Sequence, residues 1–137
     1  NHTAASLAPQ NLERIRHTPR DGGGRLDWAE PLVLSCHKSP RSYSDVYGRM
    51  WWDRPAPTLT GRCRSLSNGR FGHPEQHRAI TLREAAALQS FPDDYVFYGA
   101  PTHAAVQIGN AVPVALAKAL GDAILQSLGA SREAHVV

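Results

Sequence analysis

The sequence predicts an α+β fold, a small β-rich region followed by two helices. Three observations predict it. Residues 41–77 carry extended runs rich in aromatic and β-branched residues, punctuated by prolines and a Ser-Asn-Gly-Arg turn. Thr81 precedes Glu84 in a Thr-x-x-Glu pattern ahead of an apolar run, the signature of a capped helix start. Pro113 opens a stretch in which Val112, Leu116, Ala119, Leu120, Ala123 and Leu128 recur at helical spacing.

In chain order, "APQNLERIRHT" is a short helix candidate with a weak apolar stripe of Leu7, Leu12 and Ile15. "PRDGGGRLDW" breaks regular structure, because a glycine triplet is costly to order. "PLVLSC" reads as a short strand. "SDVYGRMWWDRPAPTLTGRCRSL" reads as two extended runs, with Pro55 and Pro57 marking an edge or a connection between them. Asn68-Gly69 suits a tight hairpin or a loop. The helix after Thr81 has Ile80 and Ala85 at its staple positions and stops before Phe91-Pro92. "QIGN" reads as a short loop before the last helix, Gly129 as that helix's stop, and Ala130–Val137 as a tail that frays.

A chain of 137 residues, 42% of them hydrophobic, is one domain or part of one with a modest core. The sequence reads as having no signal peptide and no run long and apolar enough to span a membrane. A start at Asn1-His2 fits a beginning inside a longer polypeptide or after a tag. The net charge of +3 permits nucleic-acid binding without establishing it. The placement of arginine is more telling: Arg41, Arg49, Arg54, Arg62, Arg64, Arg70 and Arg78 run through the middle third, and their donor forks suit phosphates and guanine edges. Cys36 and Cys63 are expected as free thiols, and neither shows zinc-ligand spacing with a neighbouring histidine.

Taken singly, each feature has an ordinary reading. The capping box can be only a helix start, Asn110 only a cap, Gly109 only a turn residue, and Trp28, Trp51 and Trp52 only core. No phosphate-cradling glycine motif, serine nucleophile elbow or His-Glu-x-x-His occurs. Residue chemistry alone does not assemble a complete catalytic site.

The order of three blocks adds to that reading. "RPAPTLTGR", then "NGRFGHPEQHRAITLREAAALQSFPDDYVF", then "QIGNAVPVALAKAL" resemble the C-terminal portion of the DNA (cytosine-5) methyltransferase family: its target-recognition region and its last two motifs. The resemblance runs strongly from Tyr43 to about Leu128 and weakly before that. It implies transfer of a methyl group from S-adenosylmethionine to C5 of a cytosine flipped out of duplex DNA, after a cysteine thiolate adds to C6. It implies that Asn110, Ala111 and Val112 line the cofactor pocket, with Gln107 and Gly109 shaping the same motif. Thr58 and Leu59 match the element that contacts phosphate beside the flipped base. Arg62, Arg64 and Ser65, with Arg49 from a facing strand, are the candidates for base or further phosphate contacts. Thr81, Arg83 and Glu84 fall in the motif that supports the recognition region.

The same resemblance divides the chain into residues 1–78, a recognition portion; 79–100, its supporting helix and loop; and 101–137, the cofactor loop and a helix of the S-adenosylmethionine-dependent α/β domain, whose main part is missing. The family's Pro-Cys nucleophile, Glu-Asn-Val and Gln-x-Arg-x-Arg motifs are absent, so no catalytic residue is expected in this chain and no activity from it alone. It is then a fragment of a longer enzyme, the smaller subunit of a split one, or a degenerate remnant. The implied partners are double-stranded DNA and the N-terminal catalytic half, with no membrane, and a dimer if the last helix is left uncovered. The implied setting is the bacterial cytoplasm, on the nucleoid, within restriction-modification. A DNA-binding module without chemistry and a protein-interaction domain are the competing classes.

Overall fold

The computed structural model describes residues 2–39 and 43–129, so Arg41 and the tail from Ala130 lie outside the described residues. Four α-helices are present among them: α1, Pro9–His17; α2, Leu82–Leu88; α3, Pro101–Asn110; and α4, Val114–Ser127. Single 3-10 turns occur at Arg25–Asp27, Glu30–Leu32, Ser35–His37 and Leu66–Asn68.

The β-rich expectation is not met. No strand occurs among the described residues, and the middle of the chain is coil and turn. Pairing is one residue wide, an Arg49–Gly72 parallel bridge and a Gly72–Ala79 antiparallel one. "PLVLSC" falls in two 3-10 turns, Glu30–Leu32 with Pro31 as its second residue and Ser35–His37. The physical reason lies in where the backbone carbonyls find donors. A ladder needs consecutive N–H groups facing consecutive carbonyls. Here Pro55 and Pro57 offer no N–H, and guanidinium groups take many of the carbonyls. Arg49 donates to the carbonyls of Thr18 (3.0 Å), His73 (2.8 Å), Gln76 (2.6 Å) and Ile15 (2.6 Å). Arg70 donates to those of Gly22 (2.7 Å), Gly23 (3.2 Å) and Arg49 (3.0 Å). Arginine side chains do the work that a sheet would do.

The core lies in two clusters. One joins Met50, Leu59, Phe71 and Ile80 to α2 and to Ala104, Ala105 and Ile108 of α3. The other gathers Ile15 of α1 with Trp28, Tyr47, Leu66 and Ala79. Of the three tryptophans only Trp28 is buried, while Trp52 is 62% exposed.

The chain from Pro101 forms two helices where the sequence predicts one. Pro101 sits in the first turn of α3, where its missing N–H costs nothing. Gln107–Asn110, read as a loop, is the last turn of that helix. Gly109 is there for contact rather than for turning: a Cβ at this position would run into the Thr60 carbonyl group and the Gly61 nitrogen. On the other side of this contact, a Cβ on Gly61 would lie 3.2 Å from a Val106 methyl. Glycines on both segments thus let α3 lie directly on the backbone of residues 60–61.

Residues Pro101–Ser127 together have the length and the mean hydropathy of 1.4 of a membrane-crossing segment, contrary to the expectation that no such run exists. The structure divides them at 111–113 into helices of 10 and 14 residues. Each is shorter than the roughly 20 residues that a bilayer crossing takes. No residue of α4 is buried. Leu116, Leu120, Ile124 and Leu125 all stand exposed on it.

Candidate functional site

The α2 start is built as its sequence pattern dictates. The Glu84 N–H donates to Thr81 Oγ1 at 3.1 Å, and the Thr81 N–H donates to Glu84 Oε2 at 2.7 Å. Arg78 forks onto both Glu84 carboxylate oxygens at 2.7 Å each. Burial would raise the Glu84 carboxyl, but the Arg78 and Thr81 hydrogen bonds and the charge of Arg78 outweigh it and hold it at about 2. Arg83 donates to the carbonyls of Pro92 (3.2 Å) and Tyr95 (2.9 Å), closing the loop after the helix. Thr81, Arg83 and Glu84 are therefore engaged within the fold.

Arg49 is turned inward. It is 0% exposed, and besides its four carbonyl partners it donates to His77 Nδ1 at 2.8 Å. That commitment takes Arg49 off the face where a base edge could meet it, and the facing strand from which it was expected to reach does not form. The sequence pattern of spaced arginines has two populations. Arg49 and Arg70 tie the backbone together, whereas Arg62 is exposed and Arg64 half-buried. Arg54 lies over the Trp51 ring at 4.9 Å with Arg70 at 4.3 Å from the same ring centre.

Thr58 and the segment after α3 come together. Thr58, Leu59, Gln89, Gly109, Ala111 and Pro113 line one cleft of about 410 Å³. Thr58 is exposed, and Leu59 is buried in the core, which leaves Leu59 only its backbone to offer a ligand. Asn110 ends α3 with an exposed side chain, Ala111 is half-buried and Val112 is 61% exposed. Gln107 lies apart from the cleft lining and donates to the Tyr98 carbonyl at 3.0 Å. Ser65 pairs its hydroxyl with that of Ser67 at 3.0 Å.

The element that sequence reasoning passed over is Gln89. Read only as a continuation of α2, it is 8% exposed and sends its amide group into the α3–α4 junction. A long polar side chain on the buried side of a short helix was the available signal. A second cleft, of about 380 Å³, runs between Trp51, Trp52, Arg54, His73 and Glu84.

Both cysteines are free; Cys36 is exposed and Cys63 buried. Burial pushes the Cys63 thiol up, which suits a packed side chain and not a nucleophile. Among the described residues, no group of three or more His, Cys, Asp or Glu side chains could hold a metal ion.

The C-5 cytosine-specific DNA methylase family model matches residues 8–126. The chain belongs to that family. It is 51% identical over 135 residues to the type II methylase M.HgiDII of Herpetosiphon aurantiacus, covering 93% of this chain. It is 42% identical over 129 residues to the type II methyltransferase M1.HphI of Haemophilus parahaemolyticus, covering 92%. It is 49% identical over 78 residues to the DNA (cytosine-5)-methyltransferase CMT3 of Arabidopsis thaliana, covering 57%. These matches span 37%, 31% and 9% of the respective relatives, so this member of the methylase family corresponds to a minority of each one's length.

Proposed function

We propose that this chain is the C-terminal part of a DNA cytosine-5 methyltransferase, the part that grips duplex DNA and completes the cofactor pocket. The observation that carries the reading is the shared cleft: Thr58, matched to the phosphate-contacting element, and Ala111, matched to the cofactor motif, lie on its walls. Ala111 and Pro113 project little from their stretch of the wall, which leaves the cleft open between them and Thr58. Asn110 stands between the lining residues Gly109 and Ala111 without itself lining the cleft, and its exposed amide can donate to and accept from an amino-acid group. An amide donor and acceptor at the rim of a cleft walled by small residues fits S-adenosylmethionine, which when bound would supply the methyl group.

In this reading Thr58 donates its hydroxyl to a DNA phosphate and sets register, while Arg62, Arg64 and Ser65 face the groove. Asn110, Ala111 and Val112 close over the cofactor, and the apolar face of α4 packs on the catalytic half of the enzyme. The nucleophile and its activating groups belong to that half. The working place is the bacterial cytoplasm, where the duplex substrate is.

The test uses the intact enzyme, this chain with its catalytic half. Thr58→Ala weakens binding to every duplex alike. Arg62→Ala weakens it selectively if Arg62 reads a base, and a uniform loss reassigns Arg62 to phosphate. Asn110→Ala raises the KM for S-adenosylmethionine, and an unchanged KM removes Asn110 from the cofactor site.

A further inference from the structure

Gln89 and Ser90 form a two-residue clamp between the end of α2 and the junction that leads into α4. Gln89 closes α2, and its amide nitrogen donates to the carbonyls of Ile108 (2.9 Å) and Ala111 (3.2 Å). The end of α3 leaves carbonyls without intrahelical donors. A primary amide has two N–H groups, and both are used here on carbonyls on either side of Asn110. The opposite orientation of the amide would set its oxygen against two carbonyl oxygens.

Ser90 adds the second jaw. Its hydroxyl accepts from the Ala115 N–H in the first turn of α4 at 3.2 Å. Its own backbone sits at φ +58°, a left-handed conformation that a serine adopts at a cost. That turn is what carries the hydroxyl from the end of α2 toward α4. The α2 end that bears the clamp also forms, through Leu88 and Gln89, the wall of the cleft shared with Thr58. At its other end α2 is locked by the Arg78–Glu84 fork.

We infer that Gln89 and Ser90 are positioning residues that hold the Asn110–Val112 segment in register with the Thr58 element, so that one rigid helix sets both. The inference rests on the proposed cofactor role of Asn110–Val112. Gln89 also lies on the cleft wall, but its amide nitrogen is committed to the two carbonyls, and it acts through the backbone it holds.

The experiment uses the intact enzyme and three readouts. In Gln89→Leu, the Ala111 carbonyl loses its amide donor and the Ile108 carbonyl keeps only the Ala111 N–H at 3.2 Å, and amide exchange across residues 110–117 accelerates about tenfold or more. The KM for S-adenosylmethionine rises by about tenfold, while the Kd for duplex DNA without cofactor stays within about twofold. Ser90→Ala unprotects the Ala115 amide alone. Gln89→Glu gives the pH signature: ionised, it turns acceptors onto carbonyls, and protonated, it recovers one donor. Its cofactor KM therefore falls back toward wild type as pH is lowered, relative to the wild-type enzyme at the same pH. Should Gln89→Leu fail to fold, Gln89→Glu carries the test. Unchanged exchange at 110–117 overturns the clamp. So does a parallel loss of DNA affinity, cofactor KM and melting temperature with no pH recovery. A wild-type enzyme indifferent to S-adenosylmethionine overturns the functional reading instead, and the exchange result still judges the clamp.

Discussion

Residues 43–97 and helix α4 solve opposite problems. The first region has one short helix, α2, in a frame of coil and turn, and its arginines donate to backbone carbonyls within it and at residues 15–23. Arg49 has 0% exposure and five hydrogen-bond partners, and Arg70 and Arg83 close further loops onto carbonyls. Helix α4 has regular structure throughout its 14 residues and buries none of them. The contrast teaches where each region's fold is specified. The first holds itself together with its own donors. The second keeps its backbone bonds to itself and leaves an apolar face for something else to cover.

The comparison breaks most sharply at Arg49. Arg49→Met leaves several buried carbonyls and His77 Nδ1 without a donor, and is expected to cost on the order of 3–5 kcal/mol in denaturant unfolding. A cost below about 1 kcal/mol would mean that the guanidinium is not the staple. Gly109→Ala is next, because the added methyl meets the backbone at Thr60–Gly61 and neither side is a flexible side chain. About 1–3 kcal/mol is expected, read from the same unfolding curves, and less than that would show that α3 can lift off residues 60–61 cheaply.

The pH dependence sharpens the same region. Glu84 has its carboxyl depressed to about 2, so its stabilising contribution is complete above the ordinary carboxylate range and is lost as pH falls through about 2. Glu84→Gln flattens that acid limb. His73 and His77 are lowered first by burial and then by nearby arginines, Arg78 at His73 and Arg49 at His77. Their contribution is present above the ordinary histidine range and falls as pH drops below it, because the unfolded chain takes the proton first. Thermal melts from pH 8 to 2 should show both losses, and a flat profile would contradict the pairing.

The smallest effect on stability is expected in α4. Leu116→Ser with Leu120→Ser should leave the unfolding of residues 43–97 within about 0.5 kcal/mol, since both side chains are exposed. The same pair should abolish association with the catalytic half in a pull-down. Retained association would place the interface elsewhere.

How much of this was legible follows from the range of the interactions. The reciprocal Thr81–Glu84 cap and the Pro9–His17 helix are local, and sequence spacing reads local hydrogen bonds well. The start of α4 after Pro113 was legible for the same reason. The missing sheet was not. Aromatic and β-branched runs signal half-buried extended chain, but whether the partner is another strand or an arginine arriving from 20 or more residues away is a tertiary matter. Arg49 and Arg62 look alike in a list of arginines, and only burial separates them. The helical setting of Gly109 was hidden because glycine argues for a loop until the facing backbone at Thr60 is known. Gln89 carried a faint signal, a long amide within an apolar helix, whose targets lie 19 and 22 residues on.

The most direct test of the central claim is methyl transfer from labelled S-adenosylmethionine to mixed-sequence duplex DNA, with this chain alone and with the catalytic half supplied. The account predicts transfer only when both are present, with a strong fall as salt rises. Transfer by this chain alone would contradict it, because a nucleophile would then have to lie within these 137 residues; no transfer in either case would contradict the claim that this chain completes an active enzyme.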